Sequence, residues 1–150
     1  MAAHSASAEG DLASAYARYK GAISEKDYET ALIYARKVDG AASQQLGTDD
    51  PKIGVLAYNL GAVNYHLERY RDSVEPRERA AEFYRKRYGP DAPESLLPVR
   101  KLGMAYAALK DWPRAEQRFL QAVGIVEAEQ GREAEPIADL LIELIKAARG

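Results

Sequence analysis

Apolar and small residues recur along this chain at three- and four-residue intervals, the spacing that gathers them on one face of an α-helix. Leu12, Ala15, Tyr19 and Ala22 form a first stripe, and Tyr28, Ala31, Leu32, Ala35 and Val38 a second. No alternating Val/Ile/Thr-rich run of the kind that makes a strand interrupts them. The pattern predicts seven helices, over about 11–25, 27–46, 51–67, 70–88, 93–109, 112–130 and 136–148. Asp27, Asp50 and Asp111 stand at expected N-caps, and Pro51 at a first helical position. Gly47, Gly89 and Gly131 are the expected stops, because glycine takes the left-handed C-terminal conformation without a steric cost.

The stripes themselves repeat. Ala31, Ser73 and Ala115 lie 42 residues apart, as do Tyr28, Tyr70 and Trp112, and Gly47, Gly89 and Gly131. A fixed period of this size marks stacked helix hairpins, each too small to bury its stripe alone. The small residues let the second helix of a hairpin approach the first closely, and the aromatics fill the gap at the turn. Gly61 and Gly103 fall in mid-helix, where glycine costs about 0.5–1 kcal/mol against alanine. That cost fits a neighbour packed directly on the backbone there. The last helix carries Leu140, Leu141, Leu144 and Ile145, which suits it to cover the open end of the stack. The expected fold is all-α: a right-handed α-solenoid of three hairpins, over about 11–47, 50–89 and 92–131, plus a C-terminal capping helix. It forms a single domain over 11–150, preceded by a flexible tail over 1–10.

Composition narrows the function more than it changes the fold. A net charge of −2 gives no general attraction to nucleic acid or anionic membrane. The chain has no cysteine, so neither disulfide nor thiolate chemistry enters. No apolar run approaches the roughly 20 residues that cross a bilayer. Met1–Gly10 lacks the basic start and apolar stretch of a secretory signal, so the cytoplasm is the expected address. The length suits either a complete small protein or a piece of a longer one. Candidate catalytic chemistry is sparse: the two histidines are His4 and His66, and no nucleophile elbow or phosphate loop is present. His66 and Glu68 share no helical face with a further ligand, so no metal set emerges. The expectation is a non-enzyme without cofactor or metal. Arg69, Arg71, Arg77, Arg79, Arg85, Lys86 and Arg87 interleave with Asp72, Glu75, Glu78 and Glu82. They read as ion pairs on a solvated helix face. A nucleic-acid surface is the sharper alternative.

Asn59-Leu60-Gly61, Leu67, Tyr70, Ser73 and Ala80 together resemble a tetratricopeptide repeat (TPR). So do Lys101-Leu102-Gly103-Met104-Ala105-Tyr106, Leu109, Trp112, Ala115, Phe119 and Ala122. The 42-residue length and the joint Gly89-Pro90-Asp91-Ala92-Pro93 are similar to the kinesin light chain type. The resemblance covers about residues 11–131 and implies three TPR hairpins. Repeat 1 departs from the family pattern with Tyr19 at the usual glycine and Ala22 at the usual tyrosine. Repeat 2 departs with Asn64 at that tyrosine, and with Arg77, just after Pro76, where Phe or Tyr is typical. With Asp72 as cap, Pro76 would lie one turn into its helix.

The resemblance implies a protein–protein interaction module whose first helices line a concave groove. The candidate groove residues are Tyr16, Lys20, Tyr58, Asn59, Tyr65, His66, Arg100, Lys101 and Met104. Tyrosine supplies contact area at low entropic cost together with a hydroxyl. Asn59 offers a donor and an acceptor to an extended peptide backbone, a role that kinesin light chain-like repeats imply for it. Ala17 and Lys101 stand at the equivalent places, so a ladder of asparagines is absent. The basic residues suit an acidic peptide or a carboxylate terminus. The alternatives are a self-associating scaffold, a dimer or filament, and the sensor arm of a larger protein.

Overall fold

A computed structural model describes residues 2–131 and 135–149. Among these residues the chain forms seven α-helices and one 3₁₀ turn. The helices are α1 (Ala2–Ser24), α2 (Tyr28–Gln45), α3 (Pro51–His66), α4 (Tyr70–Tyr88), α5 (Leu96–Ala108), α6 (Trp112–Gln130) and α7 (Glu135–Arg149). The 3₁₀ turn, Pro93–Ser95, leads into α5. Three antiparallel hairpins result, α1–α2, α3–α4 and α5–α6. Each packs on the next, and α7 packs on α6. Successive first helices α1, α3, α5 and α7 make one layer, and α2, α4 and α6 the other.

Local chemistry accounts for most helix ends. The Asp27 carboxylate accepts from the Thr30 amide at 3.1 Å, and Asp50 accepts from Lys52 at 2.9 Å. Asp111 accepts from Arg114 at 3.4 Å. The turn inside each hairpin repeats with the sequence period. Lys26, Glu68 and Lys110 take φ values of 59°, 58° and 60°. The next amide then donates back to the helix just left: Asp27 to Ala22 (2.9 Å), Arg69 to Asn64 (2.8 Å) and Asp111 to Tyr106 (2.9 Å). These bonds close a Schellman-type end with a non-glycine residue in the left-handed region.

Four expectations about the elements change. The helix expected from residue 11 begins at Ala2, so residues 2–10, expected as a tail, have a helical backbone. The Ala-rich composition of this segment favours helix. Gly89 and Gly131 do adopt positive φ (106° and 83°), but Gly47 does not. Helix α2 instead ends on Leu46 in an extended conformation. Asp72 is not the cap of α4; that position is Arg69, and Pro76 lies well inside a helix that continues to Tyr88. Finally, the helix expected from 93 opens as the 3₁₀ turn, with the Ser95 hydroxyl bonded to the Gly89 carbonyl at 2.9 Å.

The interior is apolar along the stack, with its buried polar side chains gathered mainly in the middle hairpin. One cluster joins Val99, Leu102, Phe119, Ile125, Val126, Ile137 and Leu140 around α5, α6 and α7. Two smaller clusters join α1, α2 and α3 through Tyr19, Leu32 and Leu60, and through Val38, Ala42 and Leu56. Between them the hairpin α3–α4 buries Asn64, Ser73 and Arg77, which are 2%, 0% and 3% exposed. Leu140 is buried and Leu144 half-buried under the cap, whereas Leu141, Ile142 and Ile145 are exposed.

Candidate functional site

The repeat period brings three equivalent positions against the middle of the first-layer helices. In the third hairpin the Phe119 ring packs on Gly103, where an added Cβ would meet it at 2.7 Å. In the second hairpin Arg77 takes the place of that ring, and a Cβ on Gly61 would meet its Cγ at 2.6 Å. In the first hairpin the sizes are exchanged, with buried Tyr19 on α1 and buried Ala35 on α2. Each glycine therefore marks a close approach that only a missing side chain allows.

Arg77 belongs to the second layer but its guanidinium reaches into the first. Its Cζ lies 5.1 Å from the centroid of the Tyr65 ring, a cation–π contact. Its charge acts on Tyr58 on the same helix as Tyr65, and on Lys101 of α5. Nε and Nη1 of Arg77 are buried and have no hydrogen-bond partner among the described residues. Burial pushes the Arg77 guanidinium below its usual proton affinity, and the neighbouring tyrosines partly offset this. Burial also raises the Tyr58 and Tyr65 hydroxyls. The Lys101 ammonium is pushed down by burial and then by Arg77 and Arg100, which crowd it with like charge.

The remaining candidate residues divide by location. Tyr58, Tyr65, Arg100, Lys101 and Met104 come together where α3 faces α5 and α7. Arg100 is engaged there in a fork-like pair with Glu143 of α7, at 2.8 and 3.2 Å. Met104 and Tyr65 line a hollow of about 250 Å³ with Trp112, Phe119 and Glu143. Asn59 is half-buried and makes no side-chain hydrogen bond among the described residues. Tyr16 and Lys20 stand apart on α1, with the Lys20 ammonium 5.2 Å from the Tyr16 ring. Tyr16 also borders an apolar hollow of about 660 Å³ between α1 and α3, with Leu12, Val38, Leu46, Val55 and Leu56. The exposed His66 ring stacks on Tyr28 at 4.7 Å and 5°, which commits that face of the ring to the joint between the first two hairpins.

Arg77 is the residue that the groove prediction left out. The signal for it was present twice: as an arginine at an aromatic position, and in the phase of α4. Ser73, Arg77, Ala80 and Ala81 form its buried stripe, so Arg77 does not belong to the wet face with its basic neighbours. Those neighbours are largely paired. Arg85 and Lys86 bind Glu82 within α4, while Arg69 reaches Glu29 (3.1 Å) and Arg79 reaches Asp39 (2.9 Å) on α2. Among the described residues no group of three or more potential metal ligands is gathered, and no helix is long and apolar enough to cross a membrane.

A family model described as tetratricopeptide repeat matches residues 52–128, just over half of the chain. No curated protein matches the sequence. Among solved structures, the chain is similar to the nearly identical TPR-like repeats of a Podosopora anserina protein assigned as a kinesin light chain. The TM-score is 0.74 at 19% identity, over 92% of this chain and 65% of that one. It is also similar to BtubC (BKLC) from P. vanneervenii, with a TM-score of 0.72 at 17% identity, over 83% of this chain and 51% of that one. At these identities the likeness concerns the fold, and the chain spans about half to two thirds of the length of those structures.

Proposed function

We infer the function from one premise: the chain belongs to the tetratricopeptide repeat family, and its repeats fold like those of a kinesin light chain-like structure. Proteins of this family are in general protein–protein interaction modules. We propose that this one holds an extended segment of a partner protein along the concave face of α1, α3 and α5, with a preference for acidic segments. The observation that carries this reading is the convergence of Tyr58, Tyr65 and Lys101 around the buried Arg77 guanidinium. Half-buried tyrosines there offer area and hydroxyls, and the local charge is basic although the chain as a whole is acidic.

The test is a selection of random peptides on the purified chain, followed by amide chemical-shift mapping of the binders. The reading predicts shifts on α3 and α5, and loss of binding in Tyr58→Ala. Shifts confined to α4 and α6, or no binders at all, would overturn it.

A second reading, self-association, is favoured by one observation: Leu141, Ile142 and Ile145 are 42%, 48% and 49% exposed on α7. Under that reading light scattering over a concentration series shows a mass above the monomer, abolished by Ile142→Glu. A strict monomer removes it.

A further inference from the structure

A buried arginine with unpartnered donors is an expensive way to fill a packing position. The equivalent place in the third hairpin is filled by Phe119, which is 2% exposed and needs no partner. Arg77 is 3% exposed, and among the described residues its Nε and Nη1 find neither a carboxylate nor a carbonyl. Leaving charged donors buried and unpaired costs several kcal/mol in general, and evolution seldom retains such a group without a use. The cation–π contact with Tyr65 offsets part of this cost but satisfies none of the N–H donors.

The surroundings identify what is missing. The groups facing Arg77 are Tyr58 and Tyr65 from α3 and Lys101 from α5. Glu143 of α7 acts on Tyr65 and Lys101, but its two oxygens are already engaged by Arg100. Two cations are thus left without an acid of their own. A planar guanidinium presents donors in the geometry of a carboxylate. We propose, on the basis of the groove reading above, that Arg77, assisted by Lys101, anchors one Asp or Glu side chain of the extended partner segment.

The position in the fold favours a side-chain carboxylate over a chain terminus. Arg77 sits under α3, with α1 and its Tyr16–Lys20 surface on one side and α5 and α7 on the other. A segment lying across the face continues past this point in both directions. A single carboxylate forks onto Nη1 and Nη2, or onto Nε and Nη2, and so supplies a partner to one of the two buried donors, beside the Tyr65 ring that lies 5.1 Å from Cζ.

The experiment uses two displayed libraries on the full chain, one with random residues between fixed flanks and one ending in a free carboxylate. Binders are then measured on the native chain and on Arg77→Met, with Arg77→Phe as the second variant should the first not fold. The flanked library should enrich Asp or Glu at one position. Changing that residue to its amide should weaken binding to the native chain about 10- to 100-fold and leave binding to Arg77→Met unchanged. Groove binders that show no acid requirement, or keep it in Arg77→Met, overturn the proposal and leave the groove reading standing. An acid requirement met only by the free terminus also overturns it. Failure to obtain any groove binder overturns both.

Discussion

In the third hairpin Phe119 lies on Gly103; in the second, 42 residues earlier, Arg77 lies on Gly61. The turn inside the hairpin is the same in both, down to the left-handed residue and the bond that follows it. The contents differ. Phe119 belongs to an apolar cluster with Leu102, Tyr106, Val123 and Ile125, and Tyr106 donates its hydroxyl to Glu78 of α4. The second hairpin, which holds Arg77, also buries Asn64, whose amide donates to the Leu60 carbonyl at 3.1 Å while its Oδ1 is unpartnered among the described residues. The socket between two helices of a repeat therefore demands a volume and leaves the chemistry open. The first hairpin makes the same point with Tyr19 and Ala35 exchanging sizes across the interface. Unsatisfied buried polarity is concentrated in hairpin two, with Arg118 Nε the one further case among the described residues.

The largest test of this contrast is to empty the apolar socket. Phe119→Ala should cost about 3–5 kcal/mol in a denaturant titration, because the ring is buried and its site cannot collapse onto Gly103. Next comes alkaline pH. Burial, and then the bond to Glu78, push the Tyr106 hydroxyl from 10.0 up to about 12. Its folded form is the harder to ionise, so its contribution is intact below pH 10 and is lost as pH rises toward 12. The loss is on the order of 2–3 kcal/mol, and Tyr106→Phe should flatten that part of the stability–pH curve. In the opposite direction, Arg77→Met should raise stability by about 1–2 kcal/mol, since it removes a buried charge with unpartnered donors and keeps the stem that covers Gly61. A loss of stability there would show that the cation–π contact outweighs burial, and the contrast between the hairpins would disappear. The smallest effect belongs to the half-exposed Arg100–Glu143 pair. Glu143→Gln should cost less than about 1 kcal/mol, with hydrogen exchange quickened in α7 before α5.

Much of this was readable from residue spacing. The helices expected over 70–88 and 112–130 form with those bounds, and the aspartate caps work as expected because their signals are local. The turns were less legible. Lys26, Glu68 and Lys110 have no sequence signature of a left-handed residue; the hairpin closure around them imposes the conformation. Gly47 carries such a signature and does not use it, because α2 already ends on Leu46. In the candidate groove, single-residue chemistry nominated the tyrosines and lysines but not their engagements. Arg100 is held by Glu143 from a helix 43 residues later, a distance over which no local pattern operates. Arg77 was hidden by company: six other basic residues on or beside the same helix suggested a wet face, whereas its phase places it inside.

The recurring joint at Lys26, Glu68 and Lys110 has a consequence for how such a chain can be rebuilt. Because the same closure is made at the same register in every hairpin, a 42-residue cassette cut between joints carries its own geometry with it. Replacing one cassette by another would exchange the floor of the face (a ring, a cation or a small residue) while the walls keep their spacing. Ligand preference then becomes a matter of cassette order, and a lineage can rewrite what the surface accepts by duplication and shuffling without designing a new interface residue by residue.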